Sequence, residues 1–150
     1  MGAGASATQM IFFITSVIIA LGVVGALFLN VQSVSTAVTM GSKTFSQQLR
    51  TDITIINDPE NIPADANNYT FYVKNTGEED ISTQSITVLI DGSLVPDGNL
   101  TKRILNSGDA MWIPGDVLEI NATASIVTGS HSLRVITENG VEDSFEFRRS

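Results

Sequence analysis

MIFFITSVIIALGVVGALFL, from Met10 to Leu29, decides how the rest of this chain is read. It holds twenty residues without a charge. As an α-helix of about 1.5 Å rise per residue, such a run spans the roughly 30 Å hydrocarbon layer of a bilayer. A cleaved secretory peptide has a basic start and an apolar run of only about 7–15 residues. Met1 to Gln9 contains no Lys or Arg and the apolar run is too long, so the segment reads as an uncleaved anchor. Met1-Gly2-Ala3-Gly4-Ala5-Ser6 fits the N-myristoylation pattern, which a spanning helix just behind it would make redundant. The reading is therefore an uncharged tail (1–9), a transmembrane helix (10–29), a helical stalk (30–50) and a β domain (51–150).

All four prolines (Pro59, Pro63, Pro96, Pro114) follow residue 58, so nothing breaks a helix in the first fifty residues. Below the membrane, Val31, Val34, Val38, Gly41, Phe45 and Gln48 alternate in spacings of 3 and 4, a heptad seam weakened by Gly41 and Gln48. One continuous helix from about Ala7 to Leu49, on the order of 60 Å long, is expected. The stalk either projects and packs on neighbours or lies on its own head. Within the span, Gly22 and Ala26 with Gly25 beside them make a small-residue pair that lets two helices approach closely. The seam is expected to continue that contact below the membrane.

Charge divides sharply. Residues 1–50 carry Lys43 and Arg50 and no acid, while residues 51–150 carry six bases and sixteen acids, giving the overall −8. So acidic a head does not grip a phosphate backbone, because nucleic-acid affinity comes largely from counterion release by Lys and Arg. There is no cysteine, which excludes disulfides, thiolate catalysis and Cys-based zinc sites. By the positive-inside rule, Lys43 and Arg50 lean toward a cytoplasmic C-terminus, although both lie near the limit of its range.

From Thr51 the periodicity becomes two. Thr51–Asn57, Tyr69–Asn75, Ser85–Ile90, Val117–Ala122, Ser132–Glu138 and Val141–Arg148 read as strands. In the last of these, Val141, Phe145 and Phe147 share one face, and Glu142, Ser144, Glu146 and Arg148 the other, as in a half-buried antiparallel strand. Asn139-Gly140 predicts a type I′ hairpin, and Asp91-Gly92 a second tight turn. Asn75-Thr76-Gly77 and Pro114-Gly115-Asp116 read as ordinary turns, Asp58–Asn68 as a polar loop, and Trp112 as a core anchor. The fold class is α+β: a long N-terminal transmembrane helix followed by an all-β, immunoglobulin-like sandwich.

Little in the sequence promises chemistry. GxSxG, P-loop and HExxH motifs are absent. His131, the single histidine, stands in Gly129-Ser130-His131 and reads as a surface turn residue. Glu78-Glu79-Asp80 reads as a solvated loop, since hard cations need oxygen ligands from several chain positions. No catalytic, cofactor or metal residue is assigned. The sequons at Asn68, Asn99 and Asn121 permit an exported head.

The order of elements, with MGAGASATQMIFFI, LRTDITIINDP, YVKNTG and WIPGDVLEI, resembles the archaeal flagellin superfamily over essentially the whole chain. Filament subunits of that superfamily carry a short basic leader ending in Gly before the helix. Its absence here favours an accessory protein of the archaellum over a filament subunit. The resemblance implies an N-terminal anchor, a β-sandwich head outside the cell between membrane and surface layer, and a stator role. It also implies pairing with a related accessory protein F, which contacts the surface layer. Gly22, Gly25 and Ala26 are then the expected helix–helix contact, with Val31, Val34, Val38 and Phe45 carrying stalk association. Val141, Phe145 and Phe147 belong to a strand that could offer its edge to a partner. Two other readings stand beside this one: an archaellin- or pilin-like filament subunit, and a membrane-tethered ligand-binding module.

Overall fold

The computed structural model describes residues 2–105 and 107–150. A single helix, α1, runs unbroken from Gly2 to Arg50. The chain forms two compact units, Met1–Lys43 and Thr44–Ser150, so the last turns of α1 belong with the β domain. The described residues of the first unit, 2–43, are helix alone. One 18-residue window of α1 reaches a mean hydropathy of 2.7, and none of the helix's residues is buried. Hydroxyls within it are tucked back onto the backbone. Thr15 Oγ1 donates to the Ile11 carbonyl at 2.8 Å and Ser16 Oγ to that of Phe12 at 2.7 Å, which removes the polar groups an apolar surrounding would leave unsatisfied.

Among the described residues eleven strands follow: β1 (Ile53–Ile55), β2 (Ala64–Asp65), β3 (Asn68–Asn75), β4 (Ile81–Ser82), β5 (Thr87–Ile90), β6 (Ser93–Leu94), β7 (Leu100–Ile104), β8 (Met111–Trp112), β9 (Val117–Thr123), β10 (Gly129–Ile136) and β11 (Glu142–Arg149). One antiparallel sheet has the order β1-β3-β9-β7, with β2 also on β3. The other has the order β11-β10-β5-β6, and β4 with β8 makes a small third ladder. Alternation assigns the inner faces. Tyr69, Phe71 and Val73 of β3, Leu118 and Ile120 of β9, and Leu133 and Val135 of β10 are all at most 2% exposed. Trp112 is fully buried, with Nε1 donating to the Asp116 carbonyl at 2.8 Å, so the anchor expected from sequence is in place.

Bonds between the sheets close the sandwich along two sides. The Ile55 amide of β1 donates to Asp143 Oδ2 of β11 at 2.8 Å, and Lys102 Nζ of β7 donates to the Ile86 carbonyl beside β5 at 2.8 Å. Lys102 explains why β7 escapes a reading by periodicity. It occupies an inward position of LTKRI, but its stem covers apolar surface while its ammonium finds a carbonyl. The two-residue strands are too short to show any period.

The two expected tight turns exchange roles. Asp91 (φ 51°) and Gly92 (φ 76°) both lie in the left-handed region, and Ile90 pairs with Ser93, so this is the type I′ hairpin. At Asn139-Gly140 only Gly140 has positive φ (78°). There the Gly140 amide donates to the Thr137 carbonyl at 3.0 Å, and the Thr137 amide to that of Val141 at 2.9 Å. That is a type I turn followed by a left-handed glycine, a correction to the I′ expectation. Strand Thr51–Asn57 is also shorter than expected, because the Thr51 amide still bonds to the Gln47 carbonyl at 2.9 Å as part of the helix end.

Candidate functional site

The side chains that α1 offers to neighbours divide into two groups. Around Gly22 and Gly25 a built Cβ meets nothing within 4 Å. Val31, Val34, Val38 and Phe45 are exposed by 61–65%. An α-helix turns about 100° per residue, so the step from Gly22 to Val31 amounts to about 900°, half a turn beyond two full turns. Gly22, Gly25 and Ala26 therefore share one face, and Val31, Val34, Val38 and Phe45 lie on the other side of the rod. A straight partner helix meets one set or the other.

Where α1 ends, two turns of the head clasp it. Arg50 forms ion pairs with Glu78 Oε2 at 3.3 Å and Glu79 Oε1 at 3.0 Å, while its carbonyl accepts the Glu78 amide at 2.7 Å. The Asp52 carbonyl accepts the amides of Thr76 and Gly77, both at 3.0 Å, and Asp52 Oδ2 accepts the Thr76 hydroxyl at 2.6 Å. From the other side, Gln48 Nε2 donates to the Asn139 carbonyl at 2.8 Å and Asn139 Nδ2 donates to Thr51 Oγ1 at 3.0 Å. A Cβ at Gly77 would stand 2.5 Å from both the Arg50 carbonyl oxygen and the Asp52 nitrogen, so only glycine permits this approach. Under the turn lies Asn75, fully buried. Its Nδ2 donates to the Glu79 and Trp112 carbonyls, each at 2.9 Å, and its Oδ1 accepts the Gly77 amide at 3.1 Å.

Sequence reasoning missed this joint. Asn75-Thr76-Gly77 had the look of any turn and Glu78-Glu79-Asp80 that of a solvated acid run, and both make contacts with residues far away in sequence. The available signal was Arg50, one of only two charges in the helix and placed at its end.

At β11, the sequence correctly placed Phe145 and Phe147 on the inner face, while Val141 is half-buried and precedes the strand. Phe147 is buried, its ring 5.5 Å from that of Phe71 in an edge-on contact and 6.3 Å from that of Phe145. These aromatic side chains fill the core, so what the strand can offer a partner is its backbone edge. Part of that edge is taken: the Arg148 amide donates to the Pro59 carbonyl at 2.9 Å, and the inward carboxylate of Asp143 is held by β1. An inward charge of this kind discourages unwanted strand pairing. The sequon Asn121 is engaged in the sheet, accepting the Thr70 hydroxyl at 2.6 Å, whereas Asn68 and Asn99 are exposed.

His131 is not a surface turn residue. It lies on β10 opposite Phe147, and its side chain is only 9% exposed. Nδ1 is 2.6 Å from Asp91 Oδ2 and Nε2 is 2.8 Å from the Val127 carbonyl oxygen. Asp91 Oδ1 also accepts the Ser132 amide at 2.9 Å. The hydrogen bond from His131, then that from Ser132, hold the Asp91 carboxyl below its ordinary value. The bond to Asp91 raises the His131 imidazole above its ordinary value, against the opposing effect of desolvation.

Among the described residues no group of three His, Cys, Asp or Glu could hold a metal ion. A model of the archaeal-type flagellin family matches residues 2–147. A relative from Methanococcus voltae, described as a flagella-related protein G, is 29% identical over 147 residues, covering 92% of this chain and 93% of its own length. Among solved structures, the archaellum periplasmic stator protein FlaG from Sulfolobus acidocaldarius is 25% identical with a TM-score of 0.46, covering 65% of this chain and 99% of that one. A stator complex of FlaF and FlaG from the same organism matches at 23% identity and a TM-score of 0.44, over 63% of this chain and 87% of that one.

Proposed function

This chain belongs to the archaeal-type flagellin family, and from that premise we propose that it is a non-catalytic, membrane-anchored accessory protein of the archaellum, a component of its stator. The relative named flagella-related protein G, aligned over nearly the whole length of both chains, supports the accessory role. The observation that carries the reading is the pairing of an apolar helix, none of it buried, with a head whose turns clasp the helix end. A stator must resist torque. Residues 10–29 anchor it in the bilayer, α1 is continuous from there to Arg50, and load reaching residues 44–50 passes into the sheets through Asp52, Thr76–Glu79 and Asn139.

In this reading the head lies outside the cell between membrane and surface layer, a related protein F is the partner, and copies of the chain associate through Gly22, Gly25 and Ala26 or through the Val31–Phe45 face. A filament subunit is the second reading, favoured by the fact that the matched family is that of the flagellins themselves. One experiment separates them. Because the chain has no cysteine, a Thr101→Cys variant carries a single thiol on the exposed side of β7. In intact cells it is expected to react with a membrane-impermeant maleimide and to fractionate with washed membranes, absent from membrane-free filaments. Recovery as a major filament component would establish the subunit reading instead, and protection from the reagent until lysis would reverse the topology.

A further inference from the structure

Both ring nitrogens of His131 face acceptors: a carboxylate oxygen at Nδ1 and a backbone carbonyl at Nε2. A neutral imidazole has one N–H and one lone pair, so it can satisfy only one of these contacts. The arrangement requires the imidazolium. Each contact ties down a different segment. Asp91 is the first residue of the left-handed β5–β6 turn, and Val127 lies in the connection between β9 and β10. The ring itself rests 5.8 Å from that of Phe147, at the end of the aromatic cluster.

We propose that His131 is a proton-held latch that fastens the β9–β10 connection and the β5–β6 turn to the sheet, and that loss of its proton frees the connection at Val127. The order of events follows from the two acceptors. When the imidazolium loses one proton, the remaining one stays on Nδ1 against the negative carboxylate, and the Nε2 lone pair then faces the Val127 oxygen. That contact turns repulsive and the connection detaches. Ile126 and Val127 wall an apolar recess of about 310 Å³ together with Leu94, Val95 and Pro96. Val127 and Leu94 are already 71% and 64% exposed, so release of the connection changes the apolar surface at this end of the head.

The charged groups facing the ring are Asp91 from the β5–β6 turn, which favours the proton, and Arg149 of β11, which opposes it. The connection contributes only the Val127 carbonyl, with no titratable side chain in 124–128. His131 is raised, so the latch is complete below the ordinary imidazole value of about 6.5 and is lost as pH rises through the higher folded value. Asp91 is depressed, so its part persists above the ordinary carboxylate range and fails only as pH falls through its lowered value.

The single histidine makes the test unambiguous. In the full-length chain in micelles, the NMR titration of the imidazole is expected to have its midpoint above about 6.5. Backbone order parameters at residues 125–128 should fall from the rigid range of about 0.85 toward about 0.6 across that midpoint, while those of β3 and β9 stay high. Asp91→Asn, which keeps the left-handed turn accessible, should lower the midpoint. His131→Gln should leave 125–128 mobile at every pH. A midpoint at or below the ordinary value, or order parameters at 125–128 that do not change through it, overturns the latch, and the wild-type titration decides this even if a variant fails to fold.

Discussion

In α1 the large apolar side chains from Met10 to Leu49 lie on the outside, whereas in the head Trp112, Phe71, Leu118 and Ile120 have no exposure at all. The helix meets its polar needs by itself, through i→i−4 backbone bonds and hydroxyls folded back on carbonyls, and leaves its apolar surface for its surroundings to cover. The head does the reverse, burying its apolar surface between its own sheets and meeting polar needs through contacts distant in sequence. The two regions therefore depend on different things. Secondary structure in the helix does not require tertiary contacts, but its association with lipid or protein does. In the head, the strands themselves depend on the core.

The contrast is most strongly tested at Trp112. Trp112→Ala empties a fully buried site and removes the Nε1 bond to Asp116, and should cost the head about 4 kcal/mol in denaturant unfolding. The helical circular dichroism signal should persist after the head has unfolded; simultaneous loss of both would show that the helix leans on the head after all. Smaller is the expected effect of Gly77→Ala at the joint. The new Cβ must displace backbone at Arg50 and Asp52, at a cost on the order of 2 kcal/mol, with faster exchange of the Glu78 amide and an intact β core. Wild-type stability in this variant would mean that the clasp yields without cost. Smallest for the head is Gly22→Ile, which meets nothing within the chain and should leave unfolding of the β domain unchanged. In a bilayer it should weaken self-association about tenfold, and an unaltered association would move the contact to the Val31–Phe45 face.

How far the sequence could be read followed from the range of the interactions. The span at Met10–Leu29, the long strands β3, β9, β10 and β11, the inward faces of Phe145 and Phe147 and the role of Trp112 all follow from patterns within a few residues. Strand β7 was hidden because Lys102 serves an inward position, and the turn type at Asn139-Gly140 because its geometry is set by bonds to Thr137 and Val141. His131 looked like a turn residue since Gly129 and Ser130 precede it, and its acceptors, Asp91 and Val127, meet it only in the folded sandwich.

The sequence by itself determined that the chain has an apolar span free of charge and an acidic β domain, because hydropathy and periodicity are properties of neighbouring residues. Only the tertiary structure decided how Arg50, Gly77 and Asn139 come together as a joint and how His131 comes to lie between two acceptors. The physical reason is that hydrogen bonds and close contacts are satisfied in space. Their partners here lie 27, 40 and 88 residues away in the chain, at Arg50–Gly77, Asp91–His131 and Thr51–Asn139.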